Sequence, residues 1–219
     1  MSELVIACLS QKGGVGKSTL ARLIARTYAS AGWRVKIADF NTKQLTSVDW
    51  VGMRMSTDMV PEIAAEPYTS VKGFKREPFD LIVADGKPDS DNSSLDIAKA
   101  AQLVIIPTGL ALDDLKPQIL FANELVSKGV DRKRILIVLN KITESTTAVQ
   151  EAREYLRSAG YQIAENDLTA KTGYQMAQNI GRSVAETNFQ SLNERADELA
   201  AEIVQKMNEL SEAANEQGK

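Results

Sequence analysis

A mostly parallel, twisted β-sheet with helices on both faces is the α/β fold that these 219 residues predict, and three observations predict it. Short apolar runs alternate with segments of helical spacing through most of the chain, which implies right-handed βαβ crossovers. The runs are apolar throughout, as strands buried on both faces are. Several end in a polar residue or a proline, namely Asp39, Asp85, Pro107 and Asn140, and ligands bind at the carboxyl ends of such strands.

Taken in order, Leu4 to Leu9 reads as the first strand. Ser18 to Ser30 follows as a helix, with Leu20, Leu23, Ile24, Thr27 and Tyr28 at helical spacing, and Ala31-Gly32 ends it as a glycine cap does. Val35 to Ala38 is the second strand, with Asp39 at its end. Thr46 to Met55 is a less regular helix, and Pro61 to Pro67 reads as a loop. Residues 79–85 form a strand ending in Asp85, and Leu103 to Pro107 form another. A third, Ile135 to Leu139, ends at Asn140; helices are expected near 94–101, 112–128 and 146–158. In the last segment, Gln190 to Leu210, the residues Leu192, Ala196, Leu199, Ile203, Met207 and Leu210 recur at spacings of three and four. It is either a helix closing on the sheet or a coiled-coil partner, and residues 211–219 are expected to fray. The whole, 1–219, is expected to be one domain.

Composition removes several functions. Apolar residues make up 43% and charged residues 25%, as in globular proteins, and no apolar run nears the ~20 residues of a membrane span. Met1-Ser2-Glu3 offers no basic region for a signal peptide, so a cytoplasmic protein is expected. With no histidine, any catalysis must use carboxylates, lysines and a metal such as Mg²⁺. The one cysteine, Cys8, sits in the first strand and reads as a buried small hydrophobe. A net charge of -3 argues against coating nucleic acid by overall charge and leaves a local basic patch open.

The chemistry starts at Ser10-Gln11-Lys12-Gly13-Gly14-Val15-Gly16-Lys17-Ser18-Thr19, between the first strand and its helix. Glycines let backbone N–H groups close on phosphates, a lysine serves the β/γ oxygens, and a hydroxyl serves Mg²⁺. Gly13, Gly14, Gly16, Lys17 and Ser18 supply these, and the following helix points its positive end at the phosphates. The strict pattern G-x-x-x-x-G-K-[ST] fails, because Gln11 replaces its first glycine and Lys12 follows. Asp85, after four apolar strand residues, suits a carboxylate holding a metal-bound water. Gly86 is a candidate for a backbone N–H on the γ-phosphate, and Asn140 either reads an adenine edge or makes a turn.

This loop resembles the deviant Walker A motif, K-G-G-x-G-K-[ST], of the ParA/MinD family of partitioning and positioning ATPases, a P-loop NTPase fold. The resemblance runs over nearly the whole chain, strongest in 4–41, 79–113 and 134–141, and includes Lys87-Pro88-Asp89 as the D-x-x-P switch and Gly181, Ser183-Val184 and Glu186 as Y…G-x-S-V-x-E. The similar nitrogenase iron protein needs two cysteines per subunit and is excluded. The resemblance implies ATP and Mg²⁺ as cofactors, held by residues 11–19, with Ser18, Asp39 and Asp85 at the metal. It implies that Lys12 reaches the partner's nucleotide in an ATP-bound homodimer, and that Lys12, Lys17, Asp39 and position 41 are catalytic. The short plasmid-partition type fits best, so nonspecific DNA and a ParB-like or other adaptor that stimulates hydrolysis are the implied partners. Lys171 and Arg182 match places where such ATPases carry DNA-binding basic residues, whereas the cluster Lys128, Arg132, Lys133 and Arg134 precedes a strand, on the face away from the loop. The acidic terminus, with Glu194, Asp197, Glu198, Glu202, Glu209, Glu212 and Glu216, disfavours membrane docking.

The departure lies after the second strand. The family commonly reads D-x-D-P-Q, its second aspartate orienting the attacking water; this chain reads Asp39-Phe40-Asn41-Thr42-Lys43-Gln44. An amide at 41 can hydrogen-bond water but cannot take its proton, so slow hydrolysis is expected. Three outcomes stay open: segregation of a plasmid or mobile element, positioning of a protein cargo by the same engine, or an ATP-locked dimer acting as a scaffold.

Overall fold

The computed structural model describes residues 4–76, 78–88 and 92–217. Along them run β1 (Leu4–Cys8), α1 (Lys17–Ser30), β2 (Val35–Asp39), α2 (Thr46–Ser56), β3 (Ala64–Pro67), β4 (Leu81–Asp85), α3 (Asn92–Ala100), β5 (Leu103–Thr108) and α4 (Leu112–Ser127). There follow β6 (Ile135–Ile142), α5 (Thr146–Ser158), β7 (Gln162–Ile163), β8 (Leu168–Thr169), α6 (Thr172–Gln178) and α7 (Gln190–Gln217). The sheet order is β3-β2-β4-β1-β5-β6-β7, with β8 added to β6, and every pairing among the described strands is parallel.

Because side chains alternate along a strand, the buried runs feed two cores. Ile6 and Cys8, Val35 and Ile37, Leu81 and Val83, and Leu103 and Ile105 pack with α1 and with Ala196, Leu199, Ile203 and Met207 of α7. Val5, Ala7 and Leu9, Ile82 and Ala84, and Val104 and Ile106 pack on the opposite face with Ile97 of α3, Leu115, Phe121 and Leu125 of α4, and Leu156 of α5. Thus α7 closes one face of the sheet. It continues as helix to Gln217, past Ser211 where fraying was expected.

β1 lies between β4 and β5, and the chain leaves it in one direction for β2 and in the other, later, for β5. The strand order therefore reverses beside β1, and the loop that follows β1 sits at the crevice this opens.

Several boundaries differ from the sequence expectation, for physical reasons. The stretch expected as a loop contains β3, which pairs with β2 from Lys36 to Asp39 through main-chain bonds while its own side chains stay half-buried or exposed. An edge strand of that kind needs no apolar run. β7 and β8, two residues each, and the seven-residue α6 are too short to leave a periodic pattern. β6 does not stop at Asn140: at Lys141, where φ is 56°, its register shifts, and it continues against β8 to Ile142.

Candidate functional site

The loop after β1 closes through glycine backbones. Gly14 and Gly16 hold φ of 77° and 99°, conformations that L side chains rarely adopt, and a Cβ on Gly16 would lie 1.9 Å from Asn140 Nδ2. Gly16 also caps α1, with its carbonyl accepting from Leu20 N at 3.1 Å. Two β6 side chains brace this turn from below: Asn140 donates to Val15 O at 2.8 Å, and Lys141 Nζ donates to Gly14 O at 2.8 Å. Asn140 is buried and committed to the loop, so it stands here as a strut and not as an open edge for adenine.

A cavity of about 250 Å³ opens over the N-terminus of α1, lined by Gly14, Gly16, Lys17, Ser18, Thr19, Arg22, Asn41, Gln44, Thr46, Gly86, Pro88 and Lys141. It combines glycine backbone, two lysines, an arginine and hydroxyls at a helix N-terminus, which is the chemistry of an anion site. Lys17 is nearly buried; desolvation lowers its pKa, and its ammonium donates to Lys12 O at 3.2 Å. Asn41 lines this cavity, with Nδ2 bonded to Gln44 Oε1 at 2.8 Å. Asp89 of the expected switch lies outside the described residues.

Behind the cavity, strand register brings the carboxylates together, since Asp39 of β2 pairs directly with Asp85 of β4. Asp39 Oδ1 accepts from Asn41 N at 3.0 Å, and Oδ2 accepts from Ser47 N at 2.9 Å and Val48 N at 3.4 Å. It is fully buried, lies behind the cavity wall as Asp85 does, and acts as the anion at the start of α2. Backbone amides hold both oxygens, and the second lone pair of Oδ1 is what the expected service to the metal or the reaction would use. Burial raises its pKa, and those amides offset part of the rise.

Asp85 differs. Its Oδ2 accepts from Ser47 Oγ at 2.6 Å, but its buried Oδ1 has no hydrogen-bond partner among the described residues. Desolvation lifts its carboxyl to about 6, against the hydroxyls of Ser47 and Ser18 that favour the charged form. A buried carboxylate oxygen without a donor is costly unless something else satisfies it. A hard cation or its water beside Ser18 is the group this donor set fits, so Mg²⁺ is compatible with Ser18 and Asp85.

Gly86 does not supply the expected N–H to a phosphate. Its N–H donates to Cys8 O at 3.0 Å, and a Cβ there would meet Leu9 Cδ2 at 2.6 Å, so tight strand packing requires this glycine. Cys8 is itself buried, and desolvation raises its thiol well above the ordinary value. Gln11 turns away from the cavity to Glu124 Oε2, at 3.1 Å. Lys12 also leaves it, pairing with Asp114 and donating to Asp113 O at 3.1 Å, both in the first turn of α4.

Two site residues went unseen in the sequence. Arg22, on α1, donates to Thr46 O at 2.6 Å and to Ser47 Oγ at 3.4 Å, and stacks 5.5 Å from the Trp50 ring centre. Ser47 joins Asp39 to Asp85. Hydroxyls opening α2 were legible as helix-start residues, but their carboxylate partners depend on which strands are neighbours.

The basic candidates are partly engaged. Lys171 pairs with Glu144 at 2.8 Å, and Arg182 donates to Asn188 Oδ1 at 3.0 Å. In the other cluster Lys128 pairs with Glu124, Arg132 stacks on Tyr161, and Arg134 holds Ala98 O, all as local structure at the amino end of β6. The G-x-S-V-x-E segment is a staple: Glu186 pairs with buried Arg54 of α2 at 2.7 Å and accepts from Ser183 N at 2.7 Å.

Residues 6–167 match the family described as the CobQ/CobB/MinD/ParA nucleotide binding domain. A protein of Gloeobacter kilaueensis, "Maintenance of carboxysome distribution protein A", is 29% identical over 82% of this chain and 83% of its own length. The MinD cell division protein of Aquifex aeolicus has the same fold, at a TM-score of 0.72 and 15% identity over 93% of this chain and 97% of its own. An ATP complex of a Cyanothece McdA variant superposes at 0.70, with 15% identity over 92% and 96%.

Proposed function

The chain belongs to the CobQ/CobB/MinD/ParA nucleotide-binding domain family, and we propose that it is an Mg²⁺-dependent ATPase that dimerises on ATP. In the ATP state it binds DNA without regard to sequence, and an adaptor protein, ParB-like or other, stimulates hydrolysis and releases it. Its task is to segregate a plasmid or mobile element, acting as one unit over residues 1–219 in the cytoplasm. Among the described residues no helix is long and apolar enough to cross a membrane.

The observation that carries this reading is the division of labour between the two loop lysines. Lys17 lines the cavity, whereas Lys12 lies against α4 and outside it. For Lys12 to meet a nucleotide it has to leave Asp114, and the family resemblance assigns it to the partner's site. In each protomer, residues 13–19 hold the phosphates by backbone N–H groups and the α1 dipole, Lys17 neutralises the β/γ oxygens, and Asn41 orients water at the cavity wall. Ser18 and Asp85 would hold Mg²⁺ or its water, and the ion would supply charge neutralisation on those oxygens. Two features support neighbouring readings. The name of the Gloeobacter relative favours a protein cargo in place of DNA, and Asn41 favours slow turnover approaching an ATP-locked scaffold.

Light scattering and single-turnover phosphate release test the reading together. Lys17→Ala loses ATP binding; Lys12→Ala keeps monomer binding and loses ATP-dependent dimerisation or turnover. A Lys12→Ala protein that dimerises and hydrolyses like the parent overturns the proposal.

A further inference from the structure

Ser47 makes two bonds of different kinds to the two carboxylates. Its backbone N–H donates to Asp39 Oδ2 at 2.9 Å, and its hydroxyl donates to Asp85 Oδ2 at 2.6 Å, with the residue itself wholly buried. The direction of the second bond is set by a third group. Arg22 Nε approaches Ser47 Oγ at 3.4 Å and can only donate, so the hydroxyl accepts from the guanidinium and spends its own proton on Asp85. Arg22 is held in turn by Thr46 O at 2.6 Å and by the Trp50 ring, and Thr46 Oγ1 lies 3.4 Å from Ser18 Oγ. The start of α2 is thereby tied to the cavity wall at Ser18, to Asp39 and to Asp85 through two consecutive residues.

We propose that Ser47 is a positioning residue for the metal: it orients the Asp85 carboxylate and occupies one oxygen, leaving Oδ1 as the oxygen that serves Mg²⁺ or its bound water. The inference rests on the reading of Asp85 as the carboxylate that serves the metal. Without the hydroxyl, Oδ2 loses its fixed donor, and the carboxylate is free to turn toward Arg22 and away from the metal. The bond also ties the start of α2 to Asp85, since Ser47 is the second residue of that helix.

The test is ATP affinity by calorimetry for the full chain, in Mg²⁺ and in chelator, for the parent, Ser47→Ala, Asp85→Asn and the double variant. Outer-shell partners of metal ligands typically contribute about 10–100-fold in metal affinity. Ser47→Ala is therefore expected to need at least about tenfold more Mg²⁺ for half-maximal enhancement of ATP binding, with affinity in chelator unchanged. In the Asp85→Asn background the same substitution has no further effect on the Mg²⁺ requirement, because its target is gone. Equal losses in Mg²⁺ and chelator, an unchanged Mg²⁺ requirement, or effects of the two substitutions that simply add, overturn the proposal. If Asp85→Asn alone leaves the Mg²⁺ requirement untouched, the reading of Asp85 fails first and the role of Ser47 falls with it. Should Ser47→Ala not fold, Ser47→Cys, of nearly the same shape and a weak donor, carries the same expectation.

Discussion

Asn41 and Asp85 show how far one atom decides the behaviour of this site. Asn41 stands on the cavity wall, bonded to Gln44, and offers an amide where a carboxylate would take a proton. Asn41→Asp is expected to raise the rate of phosphate release while leaving ATP affinity within about twofold, since it touches water and not the phosphate cradle. An unchanged rate in a single-turnover assay would show that position 41 does not limit hydrolysis. Asp85 makes a second prediction, on stability. Its carboxyl titrates at about 6 in the fold, above the ordinary carboxylate range, because burial disfavours the charge. A raised folded value means that the contribution to stability is fully present below the unfolded value near 4 and is lost as pH rises through 6. A displacement of that size is worth up to about 3 kcal/mol. Nucleotide-free Asp85→Asn should therefore match the parent near pH 4 and exceed it at pH 8, measured by urea unfolding at both values. A variant less stable than the parent at pH 8 would mean that the charge is compensated in the fold.

At the scale of elements, α2 is the connector. It starts on Asp39 and Asp85, and further along it places two buried side chains against the 181–186 segment. Trp50 Nε1 donates to Arg182 O at 3.1 Å, and Arg54 donates to Gly181 O at 3.0 Å and pairs with Glu186. Arg54 packs on the Trp50 ring as well, with its guanidinium 5.1 Å from the ring centre. Gly181 is required here twice over, by φ of 79° and by a virtual Cβ 2.8 Å from Arg54 N. The helix thus fixes the backbone of Arg182, one of the two candidate DNA contacts. Removing one partner of a buried ion pair costs about 3–5 kcal/mol when the other charge is left uncompensated; here Glu186 keeps a longer pair with Arg26 at 3.8 Å, but the packing of the buried Arg54 on Trp50 is lost as well. Arg54→Ala should lose an amount of that order in chemical denaturation, whereas Arg34→Ala, which breaks the exposed pair with Asp80, should lose under about 1 kcal/mol. Equal losses would remove Arg54 from its place as the staple.

For the whole molecule, the proposed DNA binding has to be reconciled with a net charge of -3. One copy of Lys171 and Arg182, the first already paired with Glu144, supplies little charge; the proposed dimer would double them. Each phosphate neutralised adds about -0.9 to the slope of log affinity against log salt. ATP-dependent binding to unrelated duplexes should therefore weaken steeply with salt, and Lys171→Ala/Arg182→Ala should lower the slope. Binding that ignores nucleotide, or keeps its slope in the double variant, would favour the protein-cargo reading.

The sequence by itself determined the parallel α/β architecture and the phosphate loop, because both are written in local chemistry. Unbroken apolar runs mark doubly buried strands, and glycines at 14 and 16 supply the left-handed backbone that the loop requires. The positions of Asp85 at a strand end and Lys17 at a helix start were legible for the same reason, each lying in an element whose identity is plain from neighbours in the chain. What only the tertiary structure decided were contacts between residues far apart. Strand order sets Asp39 beside Asp85 and so commits Asp39 to capping α2; the same juxtaposition brings Ser47 and Arg22 to the site. The bulge at Lys141 turns Asn140 into a strut of the loop, and the packing of α4 gives Lys12 a local partner. None of these leaves a periodic trace, since a hydrogen bond across neighbouring strands depends on register and order, which the spacing of apolar residues within one strand does not encode.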